Sequence, residues 1–356
     1  MIGGGLEMRI NREITEKERL LDKNGNIAHP GYSKKLNWIY DRNDIKAPKW
    51  RIKEWDYYYI GNRENGLCLT ISDAGFCSSL SVSLLGFGDK PFQYNCGALG
   101  ALPLGKLNLP WTSESGDIRA KVGDADMTFM NNGKTRHLFG TFSNYCKSGK
   151  ELRFDVTLSD FPEESMVIAT PFDKKAHFYY NQKINCMKAE GYCSFDGNTY
   201  VFNTDNGSLG SLDWGRGVWT YDNTWYWGSG SMYLEDGSTF GFNIGYGFGN
   251  TSAASENMLF YNGKSHKLDD VYFNIPKKED GSFDYMSPWT FTSSDKRFEM
   301  SFIPIIDRID PVDFKVICMI PNQVFGLISG KAVLDDGKVI EIKDRLCFAE
   351  HVHNKW

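Results

Sequence analysis

Apolar and polar residues alternate with a period of two along much of this chain. From Thr239 to Tyr246, Phe240, Phe242, Ile244 and Tyr246 alternate with Thr239, Gly241, Asn243 and Gly245, which places all the bulk on one face of a strand. Lys338 to Ile342 reads as another strand, entered from the Asp336-Gly337 turn. The run Arg51 to Ile60 sets Lys53, Trp55, Tyr57 and Tyr59 against Glu54, Asp56 and Tyr58, so both faces carry polar atoms. Such a strand suits the wall of a wet cavity or an interdomain groove. Asn-Gly and Asp-Gly pairs beginning at Asn24, Asn65, Asn132, Asp196, Asn206, Asp236, Asn262, Asp280 and Asp336 supply hairpin turns, because both residues tolerate positive φ. A helical period is confined to a short stretch, Ile14 to Leu21, where one short helix is expected.

Two segments resemble each other. Thr70 to Asp89 aligns without gaps with Ser231 to Asn250; each is strand, turn and strand closing on Gly-Phe-Gly, and each follows an aromatic run. A repeat on this scale implies two related halves. The expected organisation is a polar N-terminal arm at 1–50, a first unit at 51–198 and a second at 199–356. An antiparallel array that closes on itself hides its strand edges, so the expected fold is all-β, with two tandem calycin or lipocalin-like barrels. A pair of β-sandwiches is the competing architecture.

Composition supports strands and turns: 15% of the 356 residues are aromatic and 36 are Gly. The 45 acidic and 40 basic residues leave a net charge of −5 with no block of one sign, which disfavours nucleic acid and anionic membrane surfaces as partners. No apolar run approaches the roughly 18 residues of a membrane-spanning helix. The opening residues lack the apolar core of a secretory signal, so a cytoplasmic location is expected. Eight Cys without a C-x-x-C pair suggest neither a zinc knuckle nor a redox dithiol, and no metal or cofactor is expected. The nucleophile elbow, the P-loop, the H-E-x-x-H pair and the dinucleotide glycine fingerprint are all absent from the sequence.

Candidate chemistry concentrates in three places. Gly207 to Met232 holds Trp214, Trp219, Trp225 and Trp227 with Tyr221 and Tyr226 around Asp213 and Arg216. It reads as a pocket wall in which aromatic faces cover an apolar or cationic species and a carboxylate, oriented by the guanidinium, moves a proton. The same residues also suit a Trp-rich strand entering a core beside a structural salt bridge. Glu256 and Asn257 offer a carboxylate and an amide at a loop or strand start. The segment Phe348 to Trp356 brings Glu350 and His351 together on opposite faces of one strand. His351 and His353 share a face, yet no third ligand accompanies them, so His351 is a candidate acid, base or donor and not part of a metal site.

These stretches, together with RIKEWDYYYI, LDWGRGVW, GYGFGNTSAASENMLFYNGKSHKL and FAEHVHNKW, resemble the bacterial family catalogued as domain of unknown function 2804. More distantly the chain is similar to the tandem-lipocalin group that includes AttH-like proteins and carotenoid 1,2-hydratases. That resemblance implies two calycin barrels in one chain, with Asp213 matching the Asp of a W-x-D-H-x-W-G segment. Trp214 stands where that segment has His, a departure that bears on the hydratase mechanism. Lipocalin barrels of this kind plug one end with a Trp over an Arg, which offers a structural role for Arg216.

The expected function is cytosolic binding of a hydrophobic or amphipathic small molecule in a barrel pocket. If the protein is an enzyme, the expectation is acid-catalysed hydration, isomerisation or cyclisation, with Asp213, Arg216 and His351 as catalytic groups. Trp214, Trp219, Tyr221, Trp225, Trp227, Glu256, Asn257 and Glu350 are the expected ligand contacts. A non-catalytic lipid or isoprenoid carrier is one alternative. A carbohydrate-binding or glycoside-cleaving protein is the other, since aromatic platforms also stack on sugars.

Overall fold

A computed structural model describes residues 11–309, 311–313 and 318–356. Two large antiparallel sheets account for the body of the chain, a nearly closed barrel followed by a half-barrel. In the first sheet the strands Phe92–Ala101, Cys77–Gly86, Asn65–Asp73 and Ile52–Gly61 form a meander. The sheet continues through Leu209–Val218, Phe178–Phe195, Leu152–Ser159, Arg136–Phe142, Ala125–Asn131 and Ile118–Val122. The second sheet repeats this plan with Lys264–Lys267, Met258–Tyr261, Thr239–Tyr246 and Asp222–Tyr233. It runs on through Val339–Lys355, Cys318–Val333, Phe298–Arg308, Trp289–Ser293 and Val271–Asn274.

In each sheet the strand that opens the meander pairs with the strand that ends the sheet in sequence: Ile52–Gly61 with Leu209–Val218, and Asp222–Tyr233 with Val339–Lys355. The two halves therefore share a strand order, but the Thr70–Asp89 and Ser231–Asn250 match is one strand out of phase. It sets the second and third strands of the first meander against the first and second strands of the other. The division expected at 198/199 also falls inside the first sheet, because Asn198–Phe202 and Leu209–Val218 both pair with Phe178–Phe195. The chain crosses from one sheet to the other between Val218 and Asp222.

Ile14 to Leu21 is not helical. A lone helix of that length gains too few hydrogen bonds to offset its nucleation cost. Glu18–Arg19 instead runs parallel to Trp38–Ile39, while Leu20 and Leu21 bury against the first core. The arm is tied down by Gly31–Ser33, which adds to the edge of Met166–Pro171.

Three apolar clusters result: one inside each sheet and a third, rich in aromatics, in the seam between them. Three β-bulges shape what reaches the seam; one, between Pro304 and Ile306, turns Ile306 into it, and the other two lie in the strands that carry Lys183 and Glu350. An extra residue at Asn185 and Cys186, opposite Ser211, inverts the alternation of Phe178–Phe195. Phe178, Tyr180 and Ile184 face the first core before it, and Met187, Ala189 and Cys193 after it. A second extra residue at Lys343 and Asp344, opposite Ser329, does the same to Val339–Lys355, where Ile340 and Ile342 face the second core and then Cys347 and Ala349. Without that inversion Phe348 and Glu350 would point into the second core.

Gly215 illustrates how tightly the seam is packed. A Cβ there would lie inside the Trp55 indole, which stacks on Tyr179 and meets Trp219 edge-on. Gly215→Ala is expected to cost about 1–3 kcal/mol by overpacking, read as a lowered midpoint of urea unfolding at unchanged slope.

Candidate active site

Asp213, Glu256 and Glu350 come from three separate strands or strand starts, and one ammonium, that of Lys183, pairs with Asp213 and acts by its charge on the other two. Cross-strand pairing sets Lys183 directly opposite Asp213, and Lys183 Nζ lies 3.0 Å from Asp213 Oδ1. The side chain of Lys183 is almost wholly buried, and its Nζ stands 3.7 Å from the centroid of the Trp227 ring. That ring face is a favourable neighbour for a desolvated cation. Asn181 Nδ2 donates to Asp213 Oδ1 at 2.5 Å.

Glu256 is fully buried. Tyr179 donates to its Oε2 at 3.2 Å and Asn243 Nδ2 to its Oε1 at 3.3 Å, while Asn243 Oδ1 in turn accepts from the Trp227 indole N–H at 2.7 Å. Burial raises the Glu256 carboxyl above its usual range; the Lys183 charge opposes the rise and the Asp213 charge adds to it.

Glu350 accepts from the Trp225 indole N–H at 2.8 Å and from Gln323 Nε2 at 3.0 Å. Gln323 also reaches the Tyr57 hydroxyl at 3.4 Å. Burial pushes the Glu350 carboxyl up to about 7, although the Trp225 hydrogen bond, Lys183 and Arg308 all pull the other way. The physical reason is one of charge supply: three carboxylates removed from bulk water share the nearby ammonium, so one of them is the natural place for a proton.

Members of this group keep a small exposed fraction, 8% for Asp213 and Tyr57, 6% for Trp227 and 9% for Glu350. Trp219, Trp225, Phe248 and Tyr179 enclose it, with Trp219 meeting Trp225 edge-on at 5.3 Å and Tyr179 stacking on Phe248 at 4.8 Å.

Other expected site residues lie elsewhere. Arg216 does not orient Asp213, because three positions along a strand invert the facing. Its side chain enters the first barrel, bonds Asp56 at 3.0 Å and the carbonyls of Trp55 and Pro110, and lies over the Trp214 ring at 4.2 Å. This is the Trp-over-Arg arrangement, and Trp214 is likewise core. Asn257 holds the connection together, accepting from the Gly245 backbone N–H and donating to the Asp269 carbonyl. His351 faces away from Glu350, stacked on Tyr226 at 4.5 Å and bonded to the Tyr285 hydroxyl at 2.7 Å; burial lowers its pKa. Tyr221 is exposed at the crossing between the sheets. His353 pairs with Asp222, and no group of metal-ligating side chains occurs among the described residues.

Lys183, Asn181, Gln323, Tyr57 and Tyr179 were not singled out by their chemistry in the sequence. A signal existed for Lys183: it is the lone cation in Phe178 to Met187, an otherwise aromatic, amide and aliphatic run. The two-faced pattern of Arg51 to Ile60 is borne out in that Trp55, Tyr57 and Tyr59 face the seam, while Glu54, Asp56 and Tyr58 face the first barrel.

Among solved structures, an AttH-type protein from Nitrosomonas europaea is similar to this chain with a TM-score of 0.50 at 10% identity, covering 88% of this chain and 94% of its own. Kievitone hydratase from Nectria haematococca follows at a TM-score of 0.45 and 11% identity, with 95% and 98% covered. CghA with Sch210972 also matches, at 0.45 and 8%, with 96% and 97% covered. At these identities the first likeness is one of fold alone. No curated protein sequence matches the chain. The profile of one family does match, over residues 11–356, and the chain accordingly belongs to the family described as domain of unknown function (DUF2804).

Proposed function

We propose that the seam between the two sheets transfers a proton to an unsaturated, largely apolar small molecule, with Glu350 as the donor. The observation that carries this reading is the convergence of Asp213, Glu256 and Glu350 on Lys183 beneath a wall of indoles and phenols. A general acid works best when its pKa lies near the operating pH, and Glu350 at about 7 meets that condition. Asp213 serves as the charge partner of Lys183 instead of the donor, a change from the role its neighbouring tryptophans suggested. Trp225 and Gln323 fix the Glu350 carboxyl, and the rings of Trp219 and Trp227 stabilise positive charge that develops on carbon after protonation. Acid-catalysed hydration, isomerisation and cyclisation all begin with such a step and differ in how the cation is resolved: by addition of water, by loss of a proton from a neighbouring carbon, or by attack of an internal double bond.

The test uses molecules that co-purify with the native protein, identified by mass spectrometry and returned to the protein in D2O. Protonation of carbon adds deuterium and a mass increase of one per event. Glu350→Gln is expected to slow incorporation by about 10²–10⁴-fold. Incorporation at the native rate in that variant would remove Glu350 from the role.

A further inference from the structure

A groove of about 440 Å³ opens at the end of the seam where Tyr59 and Leu346 form its apolar side and Arg63, Lys343 and Arg345 stand at its rim. Its volume lies within the range of small-molecule sites. It belongs to the same surface as the carboxylate cluster, because Tyr59 follows Tyr57 on one face of Ile52–Gly61. On Val339–Lys355, Leu346, Phe348 and Glu350 succeed one another in the same way. Leu346 to Glu350 spans about 13 Å of strand. Phe348 lies between, touching Tyr59 at 5.6 Å and Trp227 at 4.9 Å.

Two features show how the rim is built. The bulge at Lys343 and Asp344 interrupts the ladder, with Asp344 at φ 47° and held by hydrogen bonds to Ser329 at 2.8 and 3.1 Å. A bulge at such a place re-aims the side chains beside it. Arg63 crosses from the first sheet and donates to the Asp344 backbone carbonyl, which ties the basic rim together across the seam. The Asp344 carboxylate is already engaged by Ser329, leaving Glu235 as the other acid at the groove. In its wall the hydroxyls of Tyr59 and Tyr233 are buried with no hydrogen-bond partner among the described residues. Donors left this way are satisfied by an acceptor arriving with a ligand.

We infer that this groove binds the anionic head of an amphipathic small molecule, the charged end at Arg63, Lys343 and Arg345 and the apolar end against Tyr59 and Leu346, on the sheet face that continues past Phe348 to Glu350. This deepens the proposed function by naming the substrate as an organic acid, sulfonate or phosphate ester with an apolar body, and it rests on that reading only for the link to Glu350.

Two probes with one apolar body separate head-group recognition from simple adhesion: 1-anilinonaphthalene-8-sulfonate and N-phenyl-1-naphthylamine, which lacks the sulfonate. In fluorescence titrations of the full chain at low salt, the sulfonate is expected to bind more tightly with a stoichiometry of one. Lys343→Gln/Arg345→Gln is expected to weaken it about tenfold while the neutral amine changes by less than about twofold. Lys343→Gln alone, at an exposed side chain, is expected to give a loss of about threefold and covers the case in which the double variant is unstable. Equal loss for both probes, or none for either, overturns the inference. Glu350→Gln is expected to leave sulfonate affinity unchanged, so a Glu350 that proves inactive in D2O does not by itself remove the groove. Sulfonate binding lost with Glu350→Gln and kept with the rim variants overturns the placement of the head group.

Discussion

Glu350→Gln is expected to raise stability at pH 8.5 by about 2–3 kcal/mol while leaving it nearly unchanged at pH 4.5. The sign follows from linkage. In the unfolded chain a glutamate releases its proton near 4.5, whereas buried Glu350 holds its proton up to about 7. Between those values the folded state binds more protons than the unfolded one, so stability falls as pH rises through the window and is level above it. A displacement of that size corresponds to roughly 3 kcal/mol. The glutamine keeps an acceptor for the Trp225 indole and removes a charge that Asp213 opposes. Urea unfolding of the two proteins at pH 4.5, 5.5, 7 and 8.5 reads the result directly. Parallel stability curves for native and variant protein would show that Glu350 titrates like an exposed glutamate.

Lys183→Met carries the other large effect, in the opposite direction. Removing one member of a buried ion pair leaves its partner desolvated and unmatched, at a cost of about 3–5 kcal/mol. Here the ammonium serves Asp213 at 3.0 Å and also acts on Glu256 and Glu350, so the loss falls on three carboxylates. The variant is expected to be most impaired above pH 7 and to recover as pH falls and the orphaned carboxyls take up protons. Lys183→Met/Asp213→Asn is expected to restore more than half of the lost stability, measured as a double-mutant cycle in urea. A variant as stable as the native protein at pH 8 would mean that Lys183 is not the counter-charge of the cluster.

Both expectations depend on how three carboxylates come to share one ammonium, and the answer lies in facing. Asp213 and Lys183 are opposite each other in the ladder, so their contact is a property of register. Glu350 enters the seam only because Val339–Lys355 carries an extra residue at Lys343 and Asp344. Trp227 and Asn243 reach it from the hairpin that opens the second sheet. The groove at the rim uses the same bulge, which links the placement of the acid to that of the basic side chains.

The strands themselves were readable along the chain. Phe240 to Tyr246 alternates strictly, Asp236-Gly237 and Asp336-Gly337 turn where such pairs turn, and aromatic and glycine content exclude a helical body. These signals are local, since a strand half-buried on one face must place apolar residues at every second position whatever it packs against. Asp213, Glu256, Glu350, Trp219, Trp225 and Trp227 were also recognisable as chemistry without a location. What tertiary structure alone decided was which of them meet. Arg216, three residues from Asp213, went to the first core with Asp56, while Lys183, thirty residues earlier, became its partner. A single inserted residue reverses every side chain beyond it, and burial then rewards whichever facing fills the space between the sheets. That choice is made by contacts between strands far apart in sequence, so no local pattern records it.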